Sequence, residues 1–283
     1  MEYLLRPSVY TTAQKDQMKA DHGLAPVAFI QRSCNPPSDR DSYIYELMRY
    51  IDVDSYGKCL NNKKLPDKLH GISEMLSEGF IKFFQRYKFI LAFENARCDD
   101  YMTEKLFRTL NIGVIPIYMG SPNVKEWLPD PNLIIMVDDF ESPAKLAEYI
   151  KRVDSDSSLY ESFLSYKKTG NRNPKLKTVL SNRQWGLNQL SEMSAVTGFE
   201  CHVCDQIHRN KNRIKIGELP HVYQATFEHY GCPKPTRNTF QNSPGTSDWQ
   251  RNHWDWHYNS GKELATSLYK DVFNNSYHYS GGD

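Results

Sequence analysis

The sequence predicts an α/β fold built on a doubly wound parallel sheet. Between residues 26 and 152, short apolar runs of strand length alternate with amphipathic stretches of helix length. Alternation at this spacing implies right-handed crossovers and therefore parallel strands. The runs KFILAFEN (88–95) and VIPIYMG (114–120) are almost wholly apolar, which is typical of strands that are buried on both faces. Polar clusters follow the predicted strands, at the sheet edge where such folds bind their ligands.

Strands and helices are predicted in alternation along this region. The predicted strands are 26–31, 51–56, 88–95, 114–120 and 133–139. The predicted helices are 42–50, 72–87, 103–113 and 142–153. Ser38 and Asp41 resemble a capping box before the first of these helices, and Gly113 is a stop signal for the third. Ser142 and Pro143 are an N-cap and a first-turn residue for the fourth.

Composition excludes several classes of protein. The chain has 283 residues, of which 39% are apolar and 24% charged, and its net charge is +1. This balance gives no global field that would favour nucleic acid or a membrane surface. No run approaches the roughly 18 apolar residues of a membrane span, and the N-terminal residues lack the pattern of a signal peptide. The glycine motifs of dehydrogenases and of P-loop NTPases are also missing.

The C-terminal third has a different composition. Residues 201–283 are rich in His, Asn, Trp and Tyr and poor in aliphatic residues, and WQRNHWDWHYNSG (249–261) has neither a strand nor a helix period. We therefore expect an α/β domain at 26–200, followed by an irregular Cys/His/aromatic-rich extension at 201–283.

Four polar residues crowd the predicted start of the third helix: Tyr101, Thr103, Glu104 and Lys105. A helix start presents unpaired N–H groups and favours anions. Thr103 is a good N-cap, Tyr101 reaches a phosphate or a sugar, and Lys105 supplies a cation for a diphosphate. Glu104 fits as an acceptor from sugar hydroxyls, and Arg40, at the end of the first strand, is a second cation. The alternative is structural, because Thr-Glu-Lys is also a common helix start.

Longer motifs around these residues carry a resemblance to a known family. FENARCDDYMTEK (93–105) is similar to the donor-binding signature of the alpha-1,3-fucosyltransferases, glycosyltransferase family 10. The segment 137–163, which contains VDDFESPAKLAEYI, is similar to the family's next block, and the likeness covers about residues 3–210. The segment 37–60 resembles the branch of alpha-1,3-fucosyltransferases 10 and 11, which are also described as protein O-fucosyltransferases.

The resemblance implies a fold and a set of roles. The family has two Rossmann-like domains that face each other across a cleft, and residues 26–200 would be the GDP-fucose-binding one. Arg40 and Lys105 would then neutralise the diphosphate, and Tyr101 would contact phosphate or fucose. Glu104 would hold the ribose or the charge that grows on the fucosyl ring, and Asn95 would line the same pocket. The reaction inverts the anomeric centre and requires neither a metal nor another cofactor.

The family's catalytic base is a Glu of the other, acceptor-binding domain. Residues 1–25 resemble the linker that precedes the donor domain, so we expect the acceptor domain, the stem and the membrane anchor to be missing here, and no catalytic residue is identified. The expected function is fucosyl transfer from GDP-fucose to a glycan or to a Ser/Thr of a glycoprotein or folded protein domain. It would take place in the lumen of the Golgi or the endoplasmic reticulum. The alternative is a catalytically incompetent half that binds the nucleotide sugar.

Two other carboxylate groups have competing interpretations. Asp52-Val53-Asp54 is formally a D-x-D metal–diphosphate motif, but it lies in a strand pattern and is expected to be structural. Glu94 ends a strand at the ligand edge, where it either acts as a base or orders the loop by hydrogen bonds.

Six cysteines complete the candidate residues. Cys34 and Cys59 end neighbouring strand-like runs and are a reasonable disulfide pair, whereas Cys98 has no evident partner. Cys201 and Cys204, with His208 and Cys232, are consistent with a zinc site, a disulfide or free thiols. The family carries a C-x-x-C at that place within a disulfide framework. The cysteines and the sequon at Asn274 favour the secretory pathway.

Overall fold

The computed structural model describes residues 2–71, 73–182, 195–222, 232–238 and 248–274. Its sheet has five strands, all parallel, in the order β2-β1-β3-β4-β5. The strands are β1 (Val27–Phe29), β2 (Val53–Ser55), β3 (Phe89–Phe93), β4 (Ile115–Met119) and β5 (Ile135–Met136). Every strand residue is buried. The predicted parallel sheet is therefore confirmed, with strands two to five residues shorter than the runs that predicted them.

Helices connect and extend the sheet. Before β4 they are α1 (Glu2–Leu5), α2 (Thr12–His22), α3 (Arg40–Leu47), α4 (Glu78–Phe84) and α5 (Glu104–Ile112). After β5 they are α6 (Pro143–Ser155), α7 (Ser157–Phe163), α8 (Tyr166–Thr169), α9 (Pro174–Asn182), α10 (Ala195–Lys215) and α11 (Asp248–Asn274). Four single 3-10 turns lie at Asp67–Leu69, Ser73–Leu76, Val124–Trp127 and Val137–Asp139.

The core lies on both faces of the sheet, as a doubly wound fold requires. On one face, strand residues such as Phe29 and Leu91 pack against α3, α6 and α7. On the other face, Ala28 and Ile90 pack with the aromatic residues of α4, and Ala92 and Tyr118 pack with α5. The chain leaves β1 toward β2 and then crosses to β3 on the other side of β1. The carboxyl ends of β1 and β3 therefore flank the topological switch point, where such sheets bind ligands.

Two predicted helix starts differ from the structure. The helix predicted over 72–87 is a 3-10 turn followed by α4, because Ser77 accepts a hydrogen bond from the Phe80 N–H and begins a new helix; Ile72 lies outside the described residues. Ser38 is not the cap of α3. Its hydroxyl donates to the Glu94 carbonyl oxygen (2.7 Å), and Asp39 is the N-cap residue instead.

The N-terminal segment, predicted as a linker, contains two helices. Helix α2 begins with a capping box between Thr11 and Gln14 and ends at Gly23. Lys15 on this helix is buried, and its ammonium donates to the Gly113 carbonyl oxygen and to the Tyr160 hydroxyl, at 3.2 Å each. This segment is therefore attached to the sheet domain.

The expectation of an irregular C-terminal extension is corrected for two parts of it. Residues 195–215 and 248–274 are helical, so the predicted boundary at residue 200 falls inside α10. Both helices expose apolar side chains, among them Phe199 (68%) and Leu268 (63%). A helix that packs on a core carries a hydrophobic stripe in its sequence. These two helices leave much of their apolar surface exposed, and such a stripe is weak in their sequences. Within the described residues, no helix combines the length and the apolarity that a bilayer crossing needs.

Candidate functional site

The loop from β3 to α5 presents a helix start to the sheet edge. Thr103 is in the extended conformation that an N-cap requires, and its side-chain oxygen accepts from the Lys105 N–H (3.4 Å). Gly113 ends the helix in the left-handed region, at φ +81°, where glycine is unstrained. The predicted helix 103–113 is therefore confirmed at both ends.

A buried carboxylate holds this helix start against the strand. The Glu94 side chain is fully buried. One of its oxygens accepts from the Thr103 N–H (2.8 Å), and the other accepts from the Thr103 hydroxyl (2.6 Å) and from the Lys105 ammonium (3.3 Å). These donors compensate for the loss of hydration that burial of a carboxylate entails. Of the two interpretations of Glu94, the geometry supports the one in which it orders the loop.

Lys105 and Glu104 complete the helix mouth. The Lys105 ammonium lies 2.9 Å from the Thr103 hydroxyl oxygen and 3.3 Å from a Glu104 carboxylate oxygen. The Lys105 side chain is 10% exposed, whereas that of Glu104 is 56% exposed. Partial burial of Glu104 would raise its pKa, but the Lys105 charge and the hydrogen bonds from the loop outweigh burial and hold the pKa of Glu104 below its ordinary value. Glu104 therefore offers an ionised acceptor at the surface.

Arg40 lies at depth rather than at an open rim. It is the first residue of α3, and its side chain is fully buried. Its guanidinium donates to the carbonyl oxygens of Phe93 (2.8 Å) and Ser33 (2.6 Å) and to Asn95 Oδ1 (2.7 Å). Desolvation lowers the pKa of Arg40, and the nearby carboxylates of Asp41 and Glu94 oppose this effect. The Nε of Arg40 makes no hydrogen bond to the described residues.

The side chains of the two predicted cations, Arg40 and Lys105, contact consecutive residues at the end of β3. Arg40 contacts Phe93 and Asn95, while Lys105 contacts the residue between them, Glu94. Tyr101 experiences the charges of the same residues. Burial raises the pKa of the Tyr101 hydroxyl, and the negative charges of Glu94 and Glu104 raise it further. The structure therefore brings the six predicted residues to one stretch of the sheet edge, at the switch point. Their ligand-binding roles stay predictions.

Sequence reasoning missed several residues that build this edge. Ser38 ties the β1 loop to the β3 loop, because its N–H donates to the Asn95 carbonyl oxygen (2.9 Å) and its hydroxyl to that of Glu94 (2.7 Å). Residues 232–238 of the extension also contact the β1 loop, where Asn238 bonds Asp39. The sequence signal for this contact was Cys98, which had no evident partner, whereas Cys232 was considered only as a zinc ligand.

The cysteines resolve into two disulfides and two thiols. The predicted bond between Cys34 and Cys59 is present, and a second bond joins Cys98 to Cys232. Cys201 and Cys204 are free and exposed on α10, so the disulfide considered for this pair is not formed. A zinc site that uses Cys232 is wrong, because the disulfide occupies that sulfur.

Asp54 of the D-x-D triplet fits its structural interpretation, whereas Asp52 is exposed and precedes the strand. Asp54 is buried, and its carboxylate accepts from the Tyr87 hydroxyl (2.8 Å) and the Ala25 N–H (3.1 Å). The residues that hold Asp54 thus join β2 to the loop before β1 and to the end of α4.

Several cavities lie away from the six predicted residues, and two of them border β5 and the extension. One of about 700 Å³ runs along β5, between Ile135, Tyr149 and Arg172. The other, of about 280 Å³, lies between Ala96–Cys98, residues 232–236 and α11. Neither cavity is lined by Arg40, Asn95, Tyr101, Thr103, Glu104 or Lys105.

Comparisons with known proteins agree with the sequence motifs. The chain is 41% identical to the human protein named GDP-fucose protein O-fucosyltransferase 3 over 268 residues, which are 94% of this chain and 56% of the relative. It is 43% identical to the chicken protein of the same name over 246 residues, 87% of this chain and 52% of the relative. The chain thus spans about half the length of these curated relatives. A crystal structure titled alpha1,3-fucosyltransferase with GDP-fucose matches with a TM-score of 0.43 and 23% identity, over 59% of this chain and 50% of that one.

The family assignment rests on a match to a family model. Residues 20–224 match the family model described as glycosyltransferase family 10 (fucosyltransferase) C-term. This range contains the whole parallel sheet and all six predicted site residues. The chain therefore belongs to glycosyltransferase family 10, the fucosyltransferases.

Proposed function

We propose that this chain forms the donor-binding part of a fucosyltransferase that uses GDP-fucose. The observation that carries the proposal is the convergence of Arg40 and Lys105 on residues 93–95 at the topological switch point. Membership of glycosyltransferase family 10 and the name of the relatives that cover most of the chain support the choice of donor.

The diphosphate of the donor would bind at the start of α5. The free N–H groups and the dipole of a helix start favour an anion, and Lys105 adds a cation whose side chain retains 10% exposure. Arg40 contributes a buried positive charge behind this position, where a low dielectric strengthens its field. Glu104, as an exposed carboxylate, accepts hydrogen bonds from ribose hydroxyls, and Tyr101 and Asn95 line the same pocket.

The reaction would be a displacement at the anomeric carbon of fucose, with inversion. The acceptor oxygen forms a bond to that carbon from the face opposite the diphosphate, and the bond from the carbon to the phosphate oxygen breaks. The acceptor proton passes to a base for which we assign no residue of this chain. The charge that develops on the leaving GDP is stabilised by Lys105 and Arg40. Since these cations take the part that a metal plays elsewhere, we propose a reaction without metal or other cofactor.

The names of the relatives and the disulfides support a proposal for the acceptor and the compartment. We propose a hydroxyl of a glycan or of a protein Ser or Thr, with a folded protein domain as the preferred acceptor. Two disulfides support an oxidising compartment, so we place the protein in the lumen of the endoplasmic reticulum or the Golgi. We further propose that an N-terminal anchor associates the whole protein with the membrane, as in full-length family members.

A second candidate is nucleotide-sugar binding without transfer. The state of Glu94 favours it, because this carboxylate, at the ligand edge, is fully buried and already accepts from three donors. It is therefore not placed to take a proton from an acceptor hydroxyl.

Calorimetry with GDP and GDP-fucose, with and without EDTA, tests the donor assignment. We expect both ligands to bind this chain, with a Kd that EDTA leaves unchanged. A chain that binds neither would overturn the proposal, and a Kd that rises with EDTA would overturn its metal-independent part. A transfer assay on a folded Ser/Thr-bearing acceptor separates the candidates: turnover of GDP-fucose by this chain supports the enzyme, and binding without turnover supports the second.

A further inference from the structure

The segment Cys232–Asn238 touches both loops that flank the switch point. At one end, the disulfide from Cys232 fixes it to Cys98 in the β3–α5 loop. Further along, the Thr236 N–H donates to the Pro37 carbonyl oxygen (3.0 Å) in the β1–α3 loop. At the other end, Asn238 bonds Asp39 in the same loop. We call residues 232–238 the clamp segment.

Asp39 has a backbone conformation that is uncommon outside glycine, although Asp is among the residues that tolerate it best. Its φ is +48°, in the left-handed region, although it is not a glycine, and it makes no side-chain cap to α3. Such a backbone persists only where the surroundings hold it. The Asn238 N–H donates to Asp39 Oδ2 (2.7 Å), and the Asn238 side-chain amide donates to the Asp39 carbonyl oxygen (2.9 Å). The Ser42 hydroxyl donates to the other carboxylate oxygen (2.7 Å).

Arg40 follows Asp39 directly in the chain. The direction in which α3 leaves the loop, and with it the path of the Arg40 side chain, is therefore set by the backbone of Asp39. The Arg40 guanidinium ends on Asn95 Oδ1, and Asn95 lies three residues before the disulfide-bonded Cys98. The clamp segment thus contacts the residue before Arg40 and the loop that receives its guanidinium.

The clamp segment is itself held by α11. The Trp254 indole N–H donates to the Asn35 carbonyl oxygen (2.9 Å) in the β1–α3 loop. Asp255 on the same helix forms ion pairs with Arg237 and, at 3.9 Å, with Lys234 of the clamp segment. Residues 232–238 and α11 are therefore fastened to the loops of the candidate site.

We propose that the clamp segment is part of the donor site and positions Arg40 through Asp39, an inference that rests on the proposed function. Asn238 and the Cys98–Cys232 bond are positioning elements that do not contact the nucleotide. Because the proposed function gives Arg40 the role of stabilising the diphosphate, loss of the clamp should weaken recognition of the second phosphate more than recognition of the rest of the nucleotide.

The test compares two pairs of matched variants by calorimetry with GDP and GMP. Cys98→Ser/Cys232→Ser removes the clamp disulfide, and Cys201→Ser/Cys204→Ser changes two thiols of the same extension that form no bond. Asn238→Ala removes the amide contact to Asp39, and Asn210→Ala removes an amide that bonds the His221 backbone instead. We expect each clamp variant to raise the Kd for GDP about fivefold or more, and that for GMP less than about twofold, while the controls stay within about twofold of the parent for both.

Each other result has a definite meaning. Equal losses for GDP and GMP would show that the segment only stabilises the fold and would overturn the inference, as would an unchanged Kd for GDP in both clamp variants. Failure of the parent chain to bind GDP would instead overturn the proposed function. Hydrogen exchange of the amides of residues 38–42 provides a measurement without nucleotide. Exchange there must be faster in the clamp variants than in the controls, and equal exchange would refute the coupling to Asp39.

Discussion

Glu94 accepts two hydrogen bonds from Thr103, one from its backbone N–H (2.8 Å) and one from its hydroxyl (2.6 Å). The first residue after β3 is thus bonded to the cap residue of α5, nine positions further along the chain. Because both partners are at least partly covered by protein, the helix start is fixed against the strand end independently of any ligand.

The first prediction concerns this carboxylate. Glu94→Gln keeps the shape of the side chain but replaces one acceptor oxygen by an amide that cannot accept from Thr103, and it removes the buried partner of Lys105. We expect the free energy of unfolding to fall by about 1–3 kcal/mol, the cost of an unsatisfied buried polar group. Urea denaturation measures the change.

Glu148→Gln is its control, since Glu148 is an exposed partner of Lys145 on α6. Exposed pairs of this kind contribute less than about 1 kcal/mol. A loss for Glu94→Gln no larger than that of the control would show that the bonds to Thr103 are not needed for stability.

The second prediction concerns the cation at the helix mouth. Lys105→Ala removes an ammonium that lies beside the N–H groups of α5, and we expect the Kd for GDP to rise at least about tenfold, equivalent to about 1.4 kcal/mol. Calorimetry checks the affinity. The melting temperature of the same sample shows that the variant is folded, because Lys105 is also a partner of buried Glu94. Lys145→Ala, on exposed surface, is expected to leave the Kd unchanged, and equal affinity in the two variants would remove Lys105 from the site.

The sheet was predictable because its central strands β1, β3 and β4 lie in apolar runs and its helices carry local signals. Thr103 and Gly113 bound α5 as predicted, and Ser142 caps α6. The placement of Arg40 and Lys105 at one sheet edge was also predictable. Each follows a strand of a parallel sheet, and the carboxyl ends of parallel strands lie at the same edge. The depth of Arg40 was not. Its guanidinium is held by Ser33 and by Phe93 and Asn95, more than 50 residues further along the chain, and no local periodicity encodes such contacts.

Local sequence signals also do not distinguish a serine that caps a helix from a serine that has another role. Ser38 and Ser77 both have the chemistry of an N-cap, yet of the two only Ser77 begins a helix. Asp39 is the residue that precedes α3, and the hydroxyl of Ser38 donates to the Glu94 carbonyl oxygen instead. In the same way, the sequence paired Cys34 with Cys59 by their positions after two strands, but it assigned no partner to Cys98. Its partner lies 134 residues away.

The third prediction is a dependence of stability on pH through Lys15. Burial lowers the pKa of Lys15 to about 7, from an ordinary value of 10.5. Between these values the unfolded chain binds more protons than the folded chain, so Lys15 makes the free energy of unfolding rise with pH over that interval. Below about pH 7 the ammonium is charged in both states, and its burial is at its most unfavourable.

Lys15→Met removes this titration. We expect a smaller rise of the free energy of unfolding between pH 7 and pH 9 than in the parent, measured by urea denaturation at both values. Lys167, whose pKa burial lowers to about 8, keeps part of the rise in both proteins. Gln17→Met, on the exposed face of the same helix, retains Lys15 and is expected to keep the full rise. The same pH dependence in Lys15→Met and in the parent would contradict the assignment.

The fourth prediction concerns the Cys34–Cys59 disulfide, which closes a loop of 25 residues between the ends of β1 and β2. A bond over such a loop restricts the unfolded chain and stabilises the fold by about 2–4 kcal/mol. We expect Cys34→Ser/Cys59→Ser to lose an amount in this range, measured by urea denaturation. Cys201→Ser/Cys204→Ser, which breaks no bond, is expected to stay within about 0.5 kcal/mol of the parent. A loss for the first variant that matches this control would indicate strain in the folded state that offsets the effect.

The fifth prediction concerns Gly120, which directly follows β4 and lies beside the Glu94 side chain. A Cβ at Gly120 would lie 2.6 Å from Glu94 Cγ and 2.4 Å from the Tyr118 hydroxyl oxygen, both well inside van der Waals contact. Gly120→Ala must therefore displace the carboxylate that holds α5, and we expect a loss of about 1–3 kcal/mol, typical of overpacking. Gly261→Ala on α11, where no atom lies within 4 Å of the new Cβ, is expected to be neutral or slightly stabilising.

A double-mutant cycle identifies which neighbour causes the loss on Gly120→Ala. In a Glu94→Ala background the contact with Cγ no longer exists, so the loss on Gly120→Ala should shrink by at least about 0.5 kcal/mol. Strict additivity would place the strain on Tyr118 alone and would separate Gly120 from the helix mouth.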